Sequence, residues 1–294
     1  MRLPYEIVAE THLRKAEEYW RRDRLQEARA AMALALNVGM PASDVYDRQR
    51  TIDAELAARL AGARLRVGEH LWVEIPVTMT SVARNALLTA TEAAWLEITT
   101  ASGVRWGKPV LVTIFPEAET TVFLHARYGY YAERTEAHKV CLPPFSAPSG
   151  GAYRRAARHE IAHAALHDVL GEAVPRWFDE GVAVWLEGGS DSLERRQVRI
   201  AAAHGRLPTL AQIDAALGSY QTSLDSITAG VAYGAAGAFI GWVMAAHGSE
   251  ALPTLLREAR RRNALSKASR AVFGRDLRKL ESDWRRTLAV GNQG

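Results

Sequence analysis

His159, Glu160 and His163 form the pattern H-E-x-x-H inside a stretch that reads as helix. On a helix, positions i and i+4 share one face, a turn apart. Two imidazoles so placed can reach a single metal ion at the ~2.0–2.1 Å of a zinc–nitrogen bond. Glu160 follows the first histidine directly, so its carboxylate would flank such an ion without occupying it. That is where a general base for a water molecule belongs. Three fixed residues make a short pattern, and two solvated histidines on a surface helix is the rival reading. A catalytic zinc also needs a third protein ligand and one open position.

The sequence downstream offers that ligand. After a turn at Leu170-Gly171 come Pro175-Arg176-Trp177-Phe178-Asp179-Glu180-Gly181-Val182-Ala183. Pro175 suits a helix start, and the turn lets the second helix return antiparallel to the first. Glu180 would then complete an open site of two histidines and a carboxylate. Asp179 is the alternative if the register is off by one residue. His167 continues the i, i+4, i+8 row but lies about 6 Å of rise beyond His163, too far to share the same ion. It is expected to be a satisfied or exposed histidine.

The segments RHEIAHAAL and VPRWFDEGVAVWLEG together resemble the gluzincin branch of zinc metallopeptidases, in particular the peptidase MA-like families. Those families carry H-E-x-x-H followed by P-x-W-x-x-E-G-x-A. Here Pro175, Trp177, Glu180, Gly181 and Ala183 match as a set. The resemblance covers about residues 70–288. It implies a zincin-like fold, one zinc ion per chain on His159, His163 and Glu180, and peptide hydrolysis with Glu160 as general base. The metzincin pattern fails, because Leu166 and Val169 stand where it needs Gly and His.

One departure concerns the outer partners of the ligands. Thermolysin-like gluzincins place an Asp four residues after the third ligand, bonded to a zinc histidine; this chain has Val184. A zinc-bound histidine needs an acceptor for its other N–H. Glu187, Asp168 or a backbone carbonyl could each serve. Gluzincins also often stabilise the oxyanion with a Tyr or His of a later helix. Tyr233, in AGVAYGAAGAF, is the expected catalytic partner of Glu160, and His247 is a weaker candidate.

The elements that must position these residues follow from patterning. Residues 4–61 read as helices with a loop at Arg22-Asp23. Ala16, Tyr19, Ala28, Met32 and Ala35 sit where a tetratricopeptide-like hairpin puts its packing residues. Strands are expected at 70–77, 109–115 and 138–142, with a helix from Thr80 or Ser81 to about 102. The last strand, which contains Cys141, is read as the sheet edge available to an extended substrate. A loop at 146–151 precedes helices near 152–169, 176–187, 191–203, 208–217, 227–246, 250–261, 266–272 and 275–289. Trp177, Trp185 and Trp242 read as core. The fold class is α+β, mostly helical. The expected organisation is an N-terminal helical segment, 1–62, followed by a metallopeptidase domain, 63–290. Within that domain, 63–150 holds the small sheet and a helix, and 151–290 the helical zinc region.

Composition narrows the alternatives. The 294 residues are 48% hydrophobic and 24% charged, which excludes a disordered or low-complexity chain. Cys141 is the one cysteine, so intrachain disulfides, Cys-based zinc fingers and iron–sulfur sites are excluded. The net charge of +4 is local, since residues 255–286 hold eleven Lys/Arg against four Asp/Glu. Leu255, Leu256, Val272, Phe273, Leu277, Leu280 and Trp284 are their apolar anchors. The basic face is read as solvated rather than as a membrane or nucleic-acid surface; the expected partner, a peptide or protein substrate, is what the metallopeptidase resemblance implies. Residues 227–246 are uncharged and long enough to span a bilayer, but eleven of the twenty are Gly or Ala, which favours a buried helix. No apolar run of signal-peptide length opens the chain, so the expected location is cytoplasmic. Two other functions fit less well: a non-catalytic zincin-like scaffold, against which Glu160 counts, and a metallohydrolase for a non-peptide bond.

Overall fold

Small residues let the first helices pack closely. α1 (Pro4–Arg21) and α2 (Leu25–Asn37) meet across a turn where Asp23 takes a φ of 58°, a conformation that Asp tolerates better than most residues. With α3 (Ala42–Ala61) they enclose Ala16, Ala28, Ala31, Met32, Val45 and Ile52, and Tyr19 packs at the side. The computed structural model describes residues 4–116, 129–144, 150–171, 174–190, 192–218 and 226–290. Among these are twelve helices and five strands, an α+β, mostly helical chain.

The strands are β1 (Gly62–Arg66), β2 (Leu71–Pro76), β3 (Val110–Ile114), β4 (Tyr130–Glu133) and β5 (His138–Leu142), in the order β1-β2-β3-β5-β4. The inner pairs β2–β3 and β3–β5 are parallel, and the outer pairs are antiparallel. A parallel pair needs a crossover, and α4 (Ser81–Ser102) supplies it between β2 and β3. Thr80 caps α4, its Oγ1 accepting the Ala83 N–H at 3.3 Å.

β2, β3 and β5 lie where patterning puts strands. β1 (GARLR) and β4 (YYAE) have no apolar run and were not expected; backbone pairing with β2 and β5 makes them strands. β4 also corrects the reading of β5 as an edge. β5 pairs with β3 on one side and β4 on the other, so its backbone donors and acceptors are already used.

The chain forms two compact units, residues 1–92 with 107–156 and residues 93–106 with 157–294. The expected boundary at 62–63 falls after the first residue of β1, inside the first unit. That unit carries a polar row across its sheet: Arg64, Glu74, Thr113, Cys141 and Tyr130 are successive register partners. Its hub is Glu55 of α3, which is fully buried. Glu55 accepts hydrogen bonds from Trp20 Nε1 (3.1 Å), Tyr130 Oη (3.0 Å), Arg134 Nη2 (2.7 Å) and Lys139 Nζ (2.9 Å). The Arg134 guanidinium lies 3.6 Å over the Trp20 ring. Burial pushes the Glu55 carboxyl up, but Lys139 and Arg134 outweigh it and hold it at about 2.

The second unit is helical. α5 (Gly151–Leu170) begins in the first unit and runs into it; α6 (Arg176–Leu186), α7 (Ser192–Ala203), α8 (Leu210–Gly218) and α9 (Ser226–His247) follow. α10 (Ala251–Arg262), α11 (Leu265–Phe273) and α12 (Leu277–Val290) close it. Each end lies within two residues of its expected position. Residues 146–149 of the expected loop lie outside the described residues. α9 is long and apolar enough to cross a membrane by length and composition. Here it packs on α6, α7, α8, α10 and α12, and Ala232, Ala235, Ala236, Phe239, Ile240 and Val243 join the core with Trp177, Phe178, Val182 and Trp284.

Removing Glu55 takes the nearest carboxylate from two buried cations and leaves them only the more distant Asp23, at 3.3 Å from Lys139 and 4.0 Å from Arg134. Glu55→Ala should lower the unfolding free energy in urea by about 3–5 kcal/mol; an unchanged midpoint would refute the hub. The folded pKa of about 2 lies below the ordinary 4.5. The hub's contribution is therefore complete above pH ~5 and is withdrawn as the pH falls toward 2.

Candidate metal centre

Two helices and one turn assemble the site. α5 ends at a turn where Gly171 takes a φ of 67°, a left-handed conformation that costs glycine little. α6 starts after Pro175, whose carbonyl accepts from the N–H groups of Phe178 and Asp179. Gly181 follows the third expected ligand. A Cβ there would lie 2.8 Å from the Ala236 carbonyl oxygen, so α6 and α9 meet backbone to backbone beside Glu180.

His159, His163 and Glu180 come together. His159 Nε2 and His163 Nε2 are 3.2 Å apart, and each lies 3.5 Å from Glu180 Oε2. Both Nδ1 atoms face carboxylates: His159 lies 2.7 Å from Glu187 Oε2, and His163 lies 2.7 Å from Asp179 Oδ1. The second oxygen of Asp179 is 3.2 Å from His167 Nε2. His159, Glu160, His163, Asp179, Glu180 and Glu187 are all buried.

This arrangement fits a metal ion on its own chemistry. With each Nδ1–H given to a carboxylate, each Nε2 presents a lone pair. Glu180 Oε2 is buried and has no hydrogen-bond partner. The surrounding charge calls for a cation. Burial disfavours imidazolium at His159, yet Glu180, Glu187 and Glu160 outweigh it and raise its pKa to about 9. Burial opposes charge at His163 too, and Asp179 and Glu180 overcome it and raise the imidazole well above its ordinary range. Two protons would place N–H groups head-on at 3.2 Å; one divalent ion satisfies both nitrogens and the oxygen together. Two imidazoles and a carboxylate suit zinc and leave a coordination position open.

The carboxylates divide by environment. Burial raises the Glu180 carboxyl, but His163 and His159 hold it at about 2. Asp179, buried as well, is held well below the carboxylate range by His163 and His167. Glu160 goes the other way. Burial raises its pKa, with Glu180 and Asp179 adding to the rise, despite the pull of His159 and His163. Of Glu160, Asp179 and Glu180 it is the one most disposed to take up a proton.

Tyr233 lies on α9, one turn before Ala236, partly buried against the core that holds Phe178 and Val182. His247 packs its ring on Phe273 at 4.6 Å between centroids, at the C-terminal end of α9. Among the outer partners, Glu187 was one of the residues expected for this role. Asp179 was expected only as a rival ligand. Adjacent helix positions point about 100° apart, so Asp179 and Glu180 meet α5 at different atoms. Val184 stands where thermolysin-like enzymes have an Asp, because that position faces α9: a Cβ at Gly237 would collide with Val184.

The sequence model of the peptidase MA superfamily matches residues 89–290. No curated protein matches the chain.

Replacing any ligand should empty the centre. Elemental mass spectrometry should find about one zinc per wild-type chain and little in His159→Ala, His163→Ala or Glu180→Ala. Glu187→Ala keeps the ligands and should weaken zinc affinity by about 10–100-fold. Wild-type affinity in that variant would show that Glu187 does not orient His159.

Proposed function

We propose that this chain, which belongs to the peptidase MA superfamily, is a zinc-dependent metallopeptidase of the gluzincin type acting on peptide or protein substrates. The observation that carries this reading is the convergence of His159 Nε2, His163 Nε2 and Glu180 Oε2 within 3.5 Å of one another, with Glu160 buried beside them. A zinc ion held there would polarise the scissile carbonyl and make a water molecule more acidic.

The chain's own groups do the rest. Glu160 takes a proton from the attacking water and later delivers it to the departing amine. Its raised pKa supports this double role, since the carboxyl must hold the proton between the two steps. Glu187 and Asp179 keep the imidazoles oriented with Nε2 inward. Tyr233 donates its hydroxyl to the oxyanion of the tetrahedral intermediate. The close approach of α9 to Gly181, next to Glu180 and one turn from Tyr233, supports that assignment.

The test is hydrolysis of a fluorescence-quenched peptide library by the zinc-loaded chain. Glu160→Gln should retain zinc and lose about 10²–10⁴-fold in kcat. Full activity in that variant, or no cleavage of any peptide by the wild type, would overturn the reading. Tyr233→Phe should lower kcat by about 10²–10³-fold at unchanged zinc content; an unchanged kcat would remove it from the mechanism.

A further inference from the structure

His167 extends the histidine row of α5 but faces no metal position. Its Nε2 lies 3.2 Å from Asp179 Oδ2, while Asp179 Oδ1 lies 2.7 Å from Nδ1 of His163. One carboxylate therefore spans two imidazoles, a ligand and its neighbour one turn along. Asp179 is 1% exposed and the His167 side chain 12%. Arg176 also approaches Oδ2, but only to 3.8 Å and with a side chain 49% exposed.

We infer that His167 is a positioning residue for the metal centre: it donates its Nε2–H to Asp179 and so fixes the carboxylate that aims His163. The inference rests on the metal-centre reading above. The terminal torsion of an Asp side chain is broad, and a single bond from His163 leaves the carboxylate plane free to turn. A donor on the second oxygen pins that plane. His163 Nδ1–H then keeps one direction, and its Nε2 lone pair stays turned toward Glu180. Helical spacing makes this possible, because His163 and His167 lie one turn apart on one face and reach the same acid of the facing helix. Arg176 cannot substitute, since an exposed cation at that distance is worth little. His159 has its own acceptor in Glu187, so His167 acts on the His163 arm.

Zinc affinity of the full-length chain, measured by competition with a chromophoric chelator, tests this without any substrate. His167→Ala should weaken zinc binding by about 3–10-fold. His167→Gln, whose amide N–H can take the place of Nε2–H, should restore it to within about twofold. Arg176→Gln should leave it unchanged. Wild-type affinity in His167→Ala would overturn the inference while leaving the centre intact. Equal losses in His167→Ala and His167→Gln would also overturn it, because packing rather than donation would then be responsible. A wild-type chain that binds no zinc would overturn the metal-centre reading and this inference with it.

Discussion

Three acceptor atoms held within 3.5 Å of one another, all buried, are the constraint around which the second unit is organised. Two imidazole lone pairs and a carboxylate oxygen repel one another unless positive charge lies between them. The protein holds them there through its helices. Helical spacing on α5 aligns the two histidines. The turn at Gly171 and the start at Pro175 set the register of α6. The backbone contact at Gly181 fixes α6 against α9, whose Gly- and Ala-rich face permits it. A side chain at Gly181 would press on the α9 backbone at the residue next to Glu180.

The same acidity shapes the next layer outward. Glu187 and Asp179 each take one imidazole N–H, which sets the tautomer and raises the basicity of the inward-facing Nε2. The carboxylates then differ in their hold on a proton through surroundings alone. Glu180 and Asp179 stay ionised beside the histidines, whereas burial leaves Glu160 inclined to hold a proton. Neighbouring acids whose pKa values are driven apart in this way are a common basis for separating ligand from base.

The first unit solves a different problem with the same physics. Its sheet face is polar, with Glu74, Thr113, Lys139 and Arg134 buried on or beside the strands. Such groups are tolerated only when paired. Glu55 pairs with both cations and also accepts from Trp20 and Tyr130, so one carboxylate ties α1 and α3 to the strands. In this way the N-terminal helices become part of the sheet's own polar core.

Local features were legible in the order of residues. H-E-x-x-H and the E-G pair name the candidate metal-binding groups: the histidine spacing belongs to one helix and is carried wherever that helix lies, and Glu180 follows from the motif the chain resembles. β2, β3, β5 and the run of helices were legible for the same reason, as apolar patterning and capping residues act over a few positions. Features that depend on neighbours distant in sequence came from packing and strand pairing. β1 and β4 exist through pairing, so their own residues carry little strand signal, and β4 covers the strand that alone looked like an edge. Val184 was freed from a polar role because it meets Gly237. Asp179 and Glu187 became the acceptors for His163 and His159 because α6 turns Asp179 toward one histidine of α5 and its C-terminal end brings Glu187 to the other. Spacing names the groups that can bind an ion; the docking of one helix on another sets which acids aim them.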